Sequence, residues 1–244
     1  MRAISSVPWI EHDLKNNDFK FETVNTVSSS TPIAASCHIN FELLLNAYKN
    51  GVFPWSGPCQ PILWWRPNPR MVLAVNDIKI SSSLKKSIKQ ELKKGMRITI
   101  NKCFKEVLLA CAAPRQNNEG TWITSDIIRV YQELNKRNFA HSVEIWQNDE
   151  LVGGLYFVSV GAMVYGESMF FRKPNASKIA LAALSKWLKI HGGKIIDCQQ
   201  ETKHLASLGA RPISNDNFIK QLRVLILKDS LPWKTNPLNE KIFK

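Results

Sequence analysis

The chain has 244 residues, of which 44% are hydrophobic and 22% are charged, a composition typical of a globular protein that buries a core without disulfide or metal cross-links. Its 33 lysines and arginines outnumber its 20 aspartates and glutamates, and the net charge of +13 indicates a polyanionic partner, against the plainer interpretation that a basic surface only aids solubility. No run of the sequence reaches ~18 apolar residues, which disfavours a membrane span and a secretory leader. The five cysteines are scattered without a CxxC pair, which disfavours a disulfide framework and a zinc site. We therefore expect a cytoplasmic protein.

The N-terminal quarter of the chain predicts one helix followed by an irregular segment. An apolar face repeats at helical spacing over residues 41–50, and Asn40 can cap its start. Residues 51–70 contain five prolines and three tryptophans, and proline in this number forbids a regular helix. We expect a domain boundary just after this segment, with a small N-terminal domain over residues 1–70 and a larger domain over residues 71–244.

Beyond residue 70, strands and helices are mixed without strict alternation. Strands are predicted over 71–75, 96–101, 141–147, 151–166 and 194–199. Helices are predicted over 81–94, 102–113, 126–138, 176–191, 201–208 and 214–228. Residues 166–177 are predicted to form a loop, and the tail from Lys234 to lack regular structure. This order favours an α+β fold over a doubly wound parallel sheet.

Several catalytic motifs are missing from the sequence. There is no GxG and no GxxxxGK[ST], so neither dinucleotide nor phosphate loops are indicated. The GxSxG and HExxH patterns are also missing, which disfavours a serine hydrolase of that type and a zinc enzyme. His141, His191 and His204 lie far apart in sequence, and we assign them structural roles.

Some tryptophans and lysines of the sequence are candidates for binding nucleic acid. Trp55 and Trp122 stand beside turn sequences where exposure is expected, and an exposed tryptophan can stack on a base. Trp64 and Trp65 are instead interpreted as side chains that pack in the interface between two domains. The predicted helix 81–94 carries a lysine stripe that can follow a phosphate backbone or can simply be a solvated face. The lysines singled out are Lys85, Lys86 and Lys89.

Two carboxylates stand at strand ends. Glu167 follows a predicted strand at a glycine, and Asp197 closes an apolar strand two residues before Gln199. A buried carboxylate is costly unless it is paired or functional. For Asp197, capping of the next helix is the alternative that the residues alone favour.

Nine segments of the sequence together resemble the bacterial leucyl/phenylalanyl-tRNA–protein transferases, and they occur in the order of that family. Several are built on rare Trp, Pro and Gly, which makes the resemblance specific. The segments are AYKNGVFPW (47–55), PILWWRPNPR (61–70), EGTWIT (119–124), AHSVEIW (140–146), ELVGGLY (150–156), GESMF (166–170), NASK (175–178), HGGKIIDCQ (191–199) and HLASLGA (204–210).

The resemblance implies an activity and a fold. The enzymes of this family move Leu or Phe, and less well Met, from aminoacyl-tRNA to the N-terminal Arg or Lys of an acceptor protein, which marks that protein for N-degron degradation. The family joins a small N-terminal domain to a larger domain resembling GCN5-type acetyltransferases (GNAT-like). The resemblance further implies that no metal or coenzyme is used, and we expect a monomer.

The resemblance also implies roles for individual residues. Trp55 and Trp122 match tryptophans that hold the 3′-terminal adenosine. Glu167 matches a residue close to the bound aminoacyl-adenosine, and Asp197 and Gln199 match the pair implicated in the reaction and in handling the acceptor amine. The pocket for the donor side chain is matched by Leu155, Met169 and Leu181.

Two other function classes stay open at this point. An acetyltransferase using acetyl-CoA would share the fold class, but its usual Q/RxxGxG/A loop is absent. An RNA-binding module without catalysis would explain the charge and the tryptophans, but not Glu167, Asp197 and Gln199.

Overall fold

A computed structural model describes residues 7–10, 19–21, 30–57, 59–114, 121–234, 236–238 and 240–243. Two positions of the segment 119–124, Glu119 and Gly120, lie outside the described residues. Residues 1–6, 11–18, 22–29 and 58 of the predicted N-terminal domain, and residues 235, 239 and 244 of the tail, also lie outside the described residues. Every residue assigned a catalytic or binding role above is described.

The N-terminal part contains a small four-stranded sheet and one described helix. Its strands are β1 (Trp9–Ile10), β2 (Ala34–Ser36), β3 (Phe53–Pro54) and β4 (Ile62–Trp65), in the order β1-β2-β4-β3. Helix α1 (Phe41–Lys49) begins at Asn40, whose side chain accepts a hydrogen bond from the Leu43 amide at 2.8 Å, so the predicted cap is confirmed. Trp64 is fully buried in this sheet.

The rest of the chain builds an eight-stranded sheet with the order β11-β5-β10-β9-β8-β7-β6-β12. In chain order the strands are β5 (Arg70–Ala74), β6 (Arg97–Ile100), β7 (Ala140–Gln147), β8 (Glu150–Val160), β9 (Met163–Phe171), β10 (Ile195–Gln199), β11 (Arg211–Ile213) and β12 (Asn236–Pro237). The neighbours β9 and β10 run parallel, and the other neighbours run antiparallel.

Over the residues described, six α-helices accompany this sheet: α2 (Ser82–Lys93), α3 (Phe104–Ala112), α4 (Ser125–Lys136), α5 (Ala176–Ile190), α6 (Lys203–Ser207) and α7 (Asn215–Leu225). Helix α5 approaches the sheet closely, since a Cβ on Gly153 of β8 would lie 2.4 Å from the Cβ of Ala176. Helices and antiparallel strands are mixed, so the predicted α+β fold is confirmed.

Two predictions about local structure were wrong. The predicted loop 166–177 is strand β9 as far as Phe171, paired with β8 along its length. The tail from Lys234 contributes β12, which pairs with β6, and a 3-10 turn over Glu240–Phe243. In both places pairing with another strand overrides a local sequence that is rich in polar residues, Gly or Pro.

Candidate active site

The candidate site lies where strands β9 and β10 separate. The two parallel strands pair at Val164–Ile196 and Tyr165–Asp197, and a cavity of about 500 Å³ opens beyond these pairs. Its wall includes consecutive residues 166–169 of β9 and 198–200 at the end of β10. A crevice beyond the carboxyl ends of neighbouring parallel strands is a common place for a ligand in α/β sheets.

One side of the cavity is apolar. It contains the three residues expected to form the donor side-chain pocket, which are Leu155 of β8, Met169 of β9 and Leu181 of α5. Sequence reasoning missed Leu184 and Ile196, which extend the same surface. The close packing of α5 on β8 brings the two leucines of that helix to the cavity.

Both predicted tryptophans are on the cavity wall. Trp55 follows β3 and is 42% exposed. Its ring packs edge-on against Trp65, 5.6 Å between centroids, and its carbonyl accepts a hydrogen bond from the Trp65 indole at 2.6 Å. Trp122 is half-buried just before α4. Because Trp55 directly follows β3, the small N-terminal sheet contributes to the wall of this cavity.

A β-bulge aims Glu167 into the cavity. Phe157 pairs with Gly166 and Tyr156 pairs with Ser168, so Glu167 is the extra residue of β9. Its carboxyl oxygens lie 2.6 Å from the Tyr48 hydroxyl and 2.9 Å from the Tyr131 hydroxyl. Burial raises the pKa of Glu167 from 4.5 to about 7, while these two hydroxyls hold it down.

Asp197 is fully buried and forms a two-point ion pair with Arg70. The Arg70 Nε–Asp197 Oδ1 and Nη2–Oδ2 distances are 2.8 and 2.6 Å, and the guanidinium lies between the rings of Phe53 and Phe218. Among the described residues, Asp197 is not part of the cavity wall. The alternative of a helix cap was wrong, since Thr202 caps α6.

Gln199 is held at the cavity by Asp197. Its backbone amide donates to Asp197 Oδ1 at 2.8 Å, and its φ of 63° is left-handed. The β5–β10 register skips Cys198, so a second bulge precedes Gln199. Its Nε2 is buried without a hydrogen bond within 3.5 Å among the described residues, and its longer polar contact with Glu167 lowers the pKa of that carboxyl.

The three predicted lysines lie apart from this cavity. Lys85, Lys86 and Lys89 are exposed on α2. With other residues of that helix they line a shallow depression of about 330 Å³. Helix α2 is capped by Ser81, the first residue of the predicted helix 81–94, whose hydroxyl accepts from the Leu84 amide at 3.2 Å.

Several residues of the site were missed by sequence reasoning. Tyr48 and Tyr131 carry no signal besides their positions on the apolar faces of two helices. Arg70 was part of a matching segment without an assigned role. His204, taken as structural, is on the cavity wall together with Gln200.

Within the described part of the chain, no three His, Cys, Asp or Glu side chains are grouped as metal ligands. Over the same residues, none of the helices has the length and apolar character needed to cross a membrane.

Comparisons with known proteins place this chain in a family of enzymes. Residues 72–223 match the family model described as leucyl/phenylalanyl-tRNA protein transferase, and residues 39–68 match the model of its N-terminal domain. The chain therefore belongs to the leucyl/phenylalanyl-tRNA protein transferase family, and it is an aminoacyltransferase.

Individual relatives agree with this assignment. A leucyl/phenylalanyl-tRNA–protein transferase of Janthinobacterium sp. (strain Marseille) is 47% identical over 223 residues, covering 89% of this chain and 91% of that protein. One from Cupriavidus metallidurans is 49% identical, covering 83% and 82%. Among solved structures, a GCN5-related N-acetyltransferase from Kribbella flavida covers 71% of this chain and 60% of its own, at 11% identity and a TM-score of 0.39.

Proposed function

We propose that this enzyme transfers leucine or phenylalanine, and less readily methionine, from aminoacyl-tRNA to the N-terminal arginine or lysine of acceptor proteins, which marks them for N-degron degradation. The observation that carries the proposal is the cavity between β9 and β10, where apolar side chains, two tryptophans and the polar side chains of Glu167 and Gln199 meet. The family membership of the chain supports the same donor class.

The donor end of the cavity suits an aminoacyl-adenosine. Leu155, Met169 and Leu181 offer an apolar surface for a Leu or Phe side chain, and desolvation excludes polar side chains from it. Methionine differs little in volume from leucine, so such a pocket separates the two weakly. Trp55 and Trp122 provide ring faces for the terminal adenine, and such stacking contributes ~1–3 kcal/mol per base.

The reaction is aminolysis of an ester. The acceptor nitrogen bonds to the ester carbonyl carbon, the bond from that carbon to the ribose oxygen breaks, and the amine proton ends on the ribose oxygen. The ester is already activated, so the protein has to place the reactants and stabilise the tetrahedral oxyanion. A model α-amine has a pKa of ~7.7–8.0 and therefore loses its proton with little help.

Gln199 is the polar group that we assign to the reacting centre, and Glu167 lies beside it on the cavity wall. The buried Nε2 of Gln199, which makes no hydrogen bond within 3.5 Å among the described residues, offers a donor to substrate oxygen. Asp197, predicted to act on the acceptor, has both oxygens engaged by Arg70. We therefore assign Asp197 a positioning role, which it exerts on Gln199 through the backbone amide.

The remaining assignments concern the surroundings of the site. We propose that Lys85, Lys86 and Lys89 contact the phosphates of the tRNA acceptor stem, which requires no sequence readout. We also propose a monomeric, cytoplasmic enzyme that divides near residue 70 into a small N-terminal domain and a catalytic domain. The two separate sheets support that division.

A transfer assay tests the proposal. Purified full-length protein is mixed with radiolabelled Leu-tRNA and a peptide beginning with Arg, beside a matched peptide beginning with Asp. We expect label on the Arg peptide alone, and the same result with Phe-tRNA. Ser-tRNA in place of Leu-tRNA tests the apolar pocket, and labelled acetyl-CoA tests for an acetyltransferase.

Two results would contradict the proposal. Charged tRNA that binds while neither peptide is labelled would indicate an RNA-binding module. Label transferred from acetyl-CoA but not from tRNA would indicate an acetyltransferase.

A further inference from the structure

Three oxygen-bearing side chains from distant parts of the chain meet beside the cavity. The Tyr48 hydroxyl on α1 lies 2.6 Å from the Tyr131 hydroxyl on α4 and 2.6 Å from Glu167 Oε1, and the Tyr131 hydroxyl lies 2.9 Å from Glu167 Oε2. All three distances fall in the range of O–H···O hydrogen bonds. The three groups therefore form a closed ring with three contacts.

The number of protons decides the charge of this ring. Each phenol carries one proton, because burial raises the pKa of Tyr48 and Tyr131 well above 10.0, and an ionised carboxylate carries none. Two protons cannot serve three contacts. If both phenols donate to Glu167, the two hydroxyl oxygens face each other at 2.6 Å with no proton between them.

We propose that Glu167 rests as a neutral carboxylic acid whose proton completes this ring. The carboxyl O–H donates to Tyr48, Tyr48 donates to Tyr131, and Tyr131 donates to the second carboxyl oxygen. Each contact then has one proton and each proton one acceptor. Loss of the Glu167 proton opens the ring at the contact between the two tyrosines.

The surroundings of Glu167 agree with a neutral group. Burial is the largest influence on its pKa and the charge of Asp197 acts in the same direction, against hydrogen bonds from Tyr48, Tyr131 and Gln199 that favour the ionised form. The Arg70 guanidinium is engaged by Asp197. Among the described residues, the titratable groups that interact with Glu167 from the packed elements are Tyr48 of α1, Tyr131 of α4, Tyr156 of β8, Tyr165 of β9 and Asp197 of β10.

A neutral acid at this position has a consequence for transfer, and this consequence rests on the proposed function. A carboxylate on the cavity wall would hold the acceptor amine as its ammonium ion, which cannot attack the ester. A carboxylic acid leaves the amine free to lose its proton. Glu167 is then a positioning residue that supplies hydrogen bonds without charge.

Infrared difference spectroscopy of the full chain without tRNA tests the ring directly. Spectra are recorded from about pH 5 to about pH 9 for the wild type and for Glu167→Gln, so that the stretch of a protonated carboxyl can be assigned by subtraction. We expect a protonated-carboxyl band that Glu167→Gln lacks and that disappears with a midpoint at about 7. No such band at the acidic end would overturn the proposal.

Tyr131→Phe distinguishes a ring from two independent donors. In a ring, removing this hydroxyl takes two neutral hydrogen bonds from the protonated form and one charge-assisted bond, about twice as strong, from the ionised form. These losses offset each other, so relief of the oxygen–oxygen repulsion in the ionised form lowers the midpoint. If Tyr131 only donates to a carboxylate, its loss raises the midpoint. A midpoint that stays or rises would overturn the ring.

Tyr156→Phe is the matched control for this titration. The Tyr156 hydroxyl has no hydrogen-bond partner among the described residues, and its ring packs on Tyr131 with centroids 5.3 Å apart. We expect this variant to keep the wild-type midpoint. A shift as large as that of Tyr131→Phe would overturn the assignment to the ring.

The consequence for transfer has its own measurement. The carboxamide of Glu167→Gln can complete the ring with an N–H donor, whereas Glu167→Ala cannot, so we expect Gln to retain transfer within a few-fold and Ala to lose it. Complete loss in Glu167→Gln would overturn the positioning role. If the wild type transfers nothing while the infrared band is present, the proposed function fails and the ring stands.

Discussion

The protonation of Glu167 predicts how the stability of the protein depends on pH. A glutamic acid exposed in the unfolded chain has a pKa near 4.5, whereas burial raises that of Glu167 to about 7 in the folded protein. Because one pKa unit corresponds to about 1.4 kcal/mol, ionising Glu167 costs the folded state about 3 kcal/mol. The Glu167→Gln variant avoids this cost, since its carboxamide has no proton to lose and still bonds to both tyrosines.

The sign of the effect follows from proton binding. Between pH 4.5 and about 7 the folded state binds more protons at this position than the unfolded state, so the wild type loses stability as the pH rises through this window. Urea unfolding of both proteins at a series of pH values measures the difference. We expect Glu167→Gln to gain about 3 kcal/mol relative to the wild type between about pH 4 and pH 8. Parallel curves for the two proteins would refute a raised pKa.

Three further predictions address other parts of the site. Arg70→Met should lower the free energy of unfolding in urea by ~3–5 kcal/mol, because it leaves Asp197 buried and unpaired. The double variant Arg70→Met with Asp197→Leu should lose less stability than Arg70→Met alone, and additive losses would contradict a coupled pair. Trp55→Ala should weaken binding of Leu-tRNA about 10- to 100-fold by loss of stacking, whereas Trp9→Ala, which removes a comparably exposed tryptophan (47%), should not; equal effects would refute the adenosine site. Changing Lys85, Lys86 and Lys89 of α2 to Ala should reduce the slope of log K against log salt for tRNA binding by about 2 to 3. The control is Lys220→Ala with Lys228→Ala, and an unchanged slope in the α2 variant would contradict phosphate contacts by its lysines.

Local features of the fold were predictable from the sequence because their causes are local. The caps at Asn40 and Ser81 follow from one side chain and the amide three residues later. The antiparallel strands β7 and β8 follow from apolar character and a short turn.

The course of β9 could not be predicted in the same way. Residues 166–171 contain Gly, Glu and Ser, which are typical of a loop, and they pair with β8 only because the preceding residues set the register. The bulge at Glu167 depends on that pairing as well. The environment of Asp197 has the same origin, since its partner Arg70 is 127 residues away.

The candidate site was predictable only in its composition. The resemblance brought Trp55, Trp122, Leu155, Glu167 and other residues to attention, and the structure gathers these around one cavity. The two tyrosines of the ring were missed, because each lies on the apolar face of a helix where a core residue is expected. Their chemistry depends on a contact between hydroxyls 83 residues apart.

The separation of β9 and β10 also explains why no oxyanion site is visible in the sequence. The two strands form no registered pairs beyond Tyr165 and Asp197, so peptide groups on the facing edges are not used between them. Fixed backbone amides are suitable donors to a tetrahedral oxyanion, and they need no particular side chain. On the proposed function, we expect the oxyanion donors to come from these strand edges. Side-chain motifs can then identify what holds the adenosine and the donor side chain, and they include Gln199 as a side-chain donor, but backbone donors to the transition state follow from strand geometry.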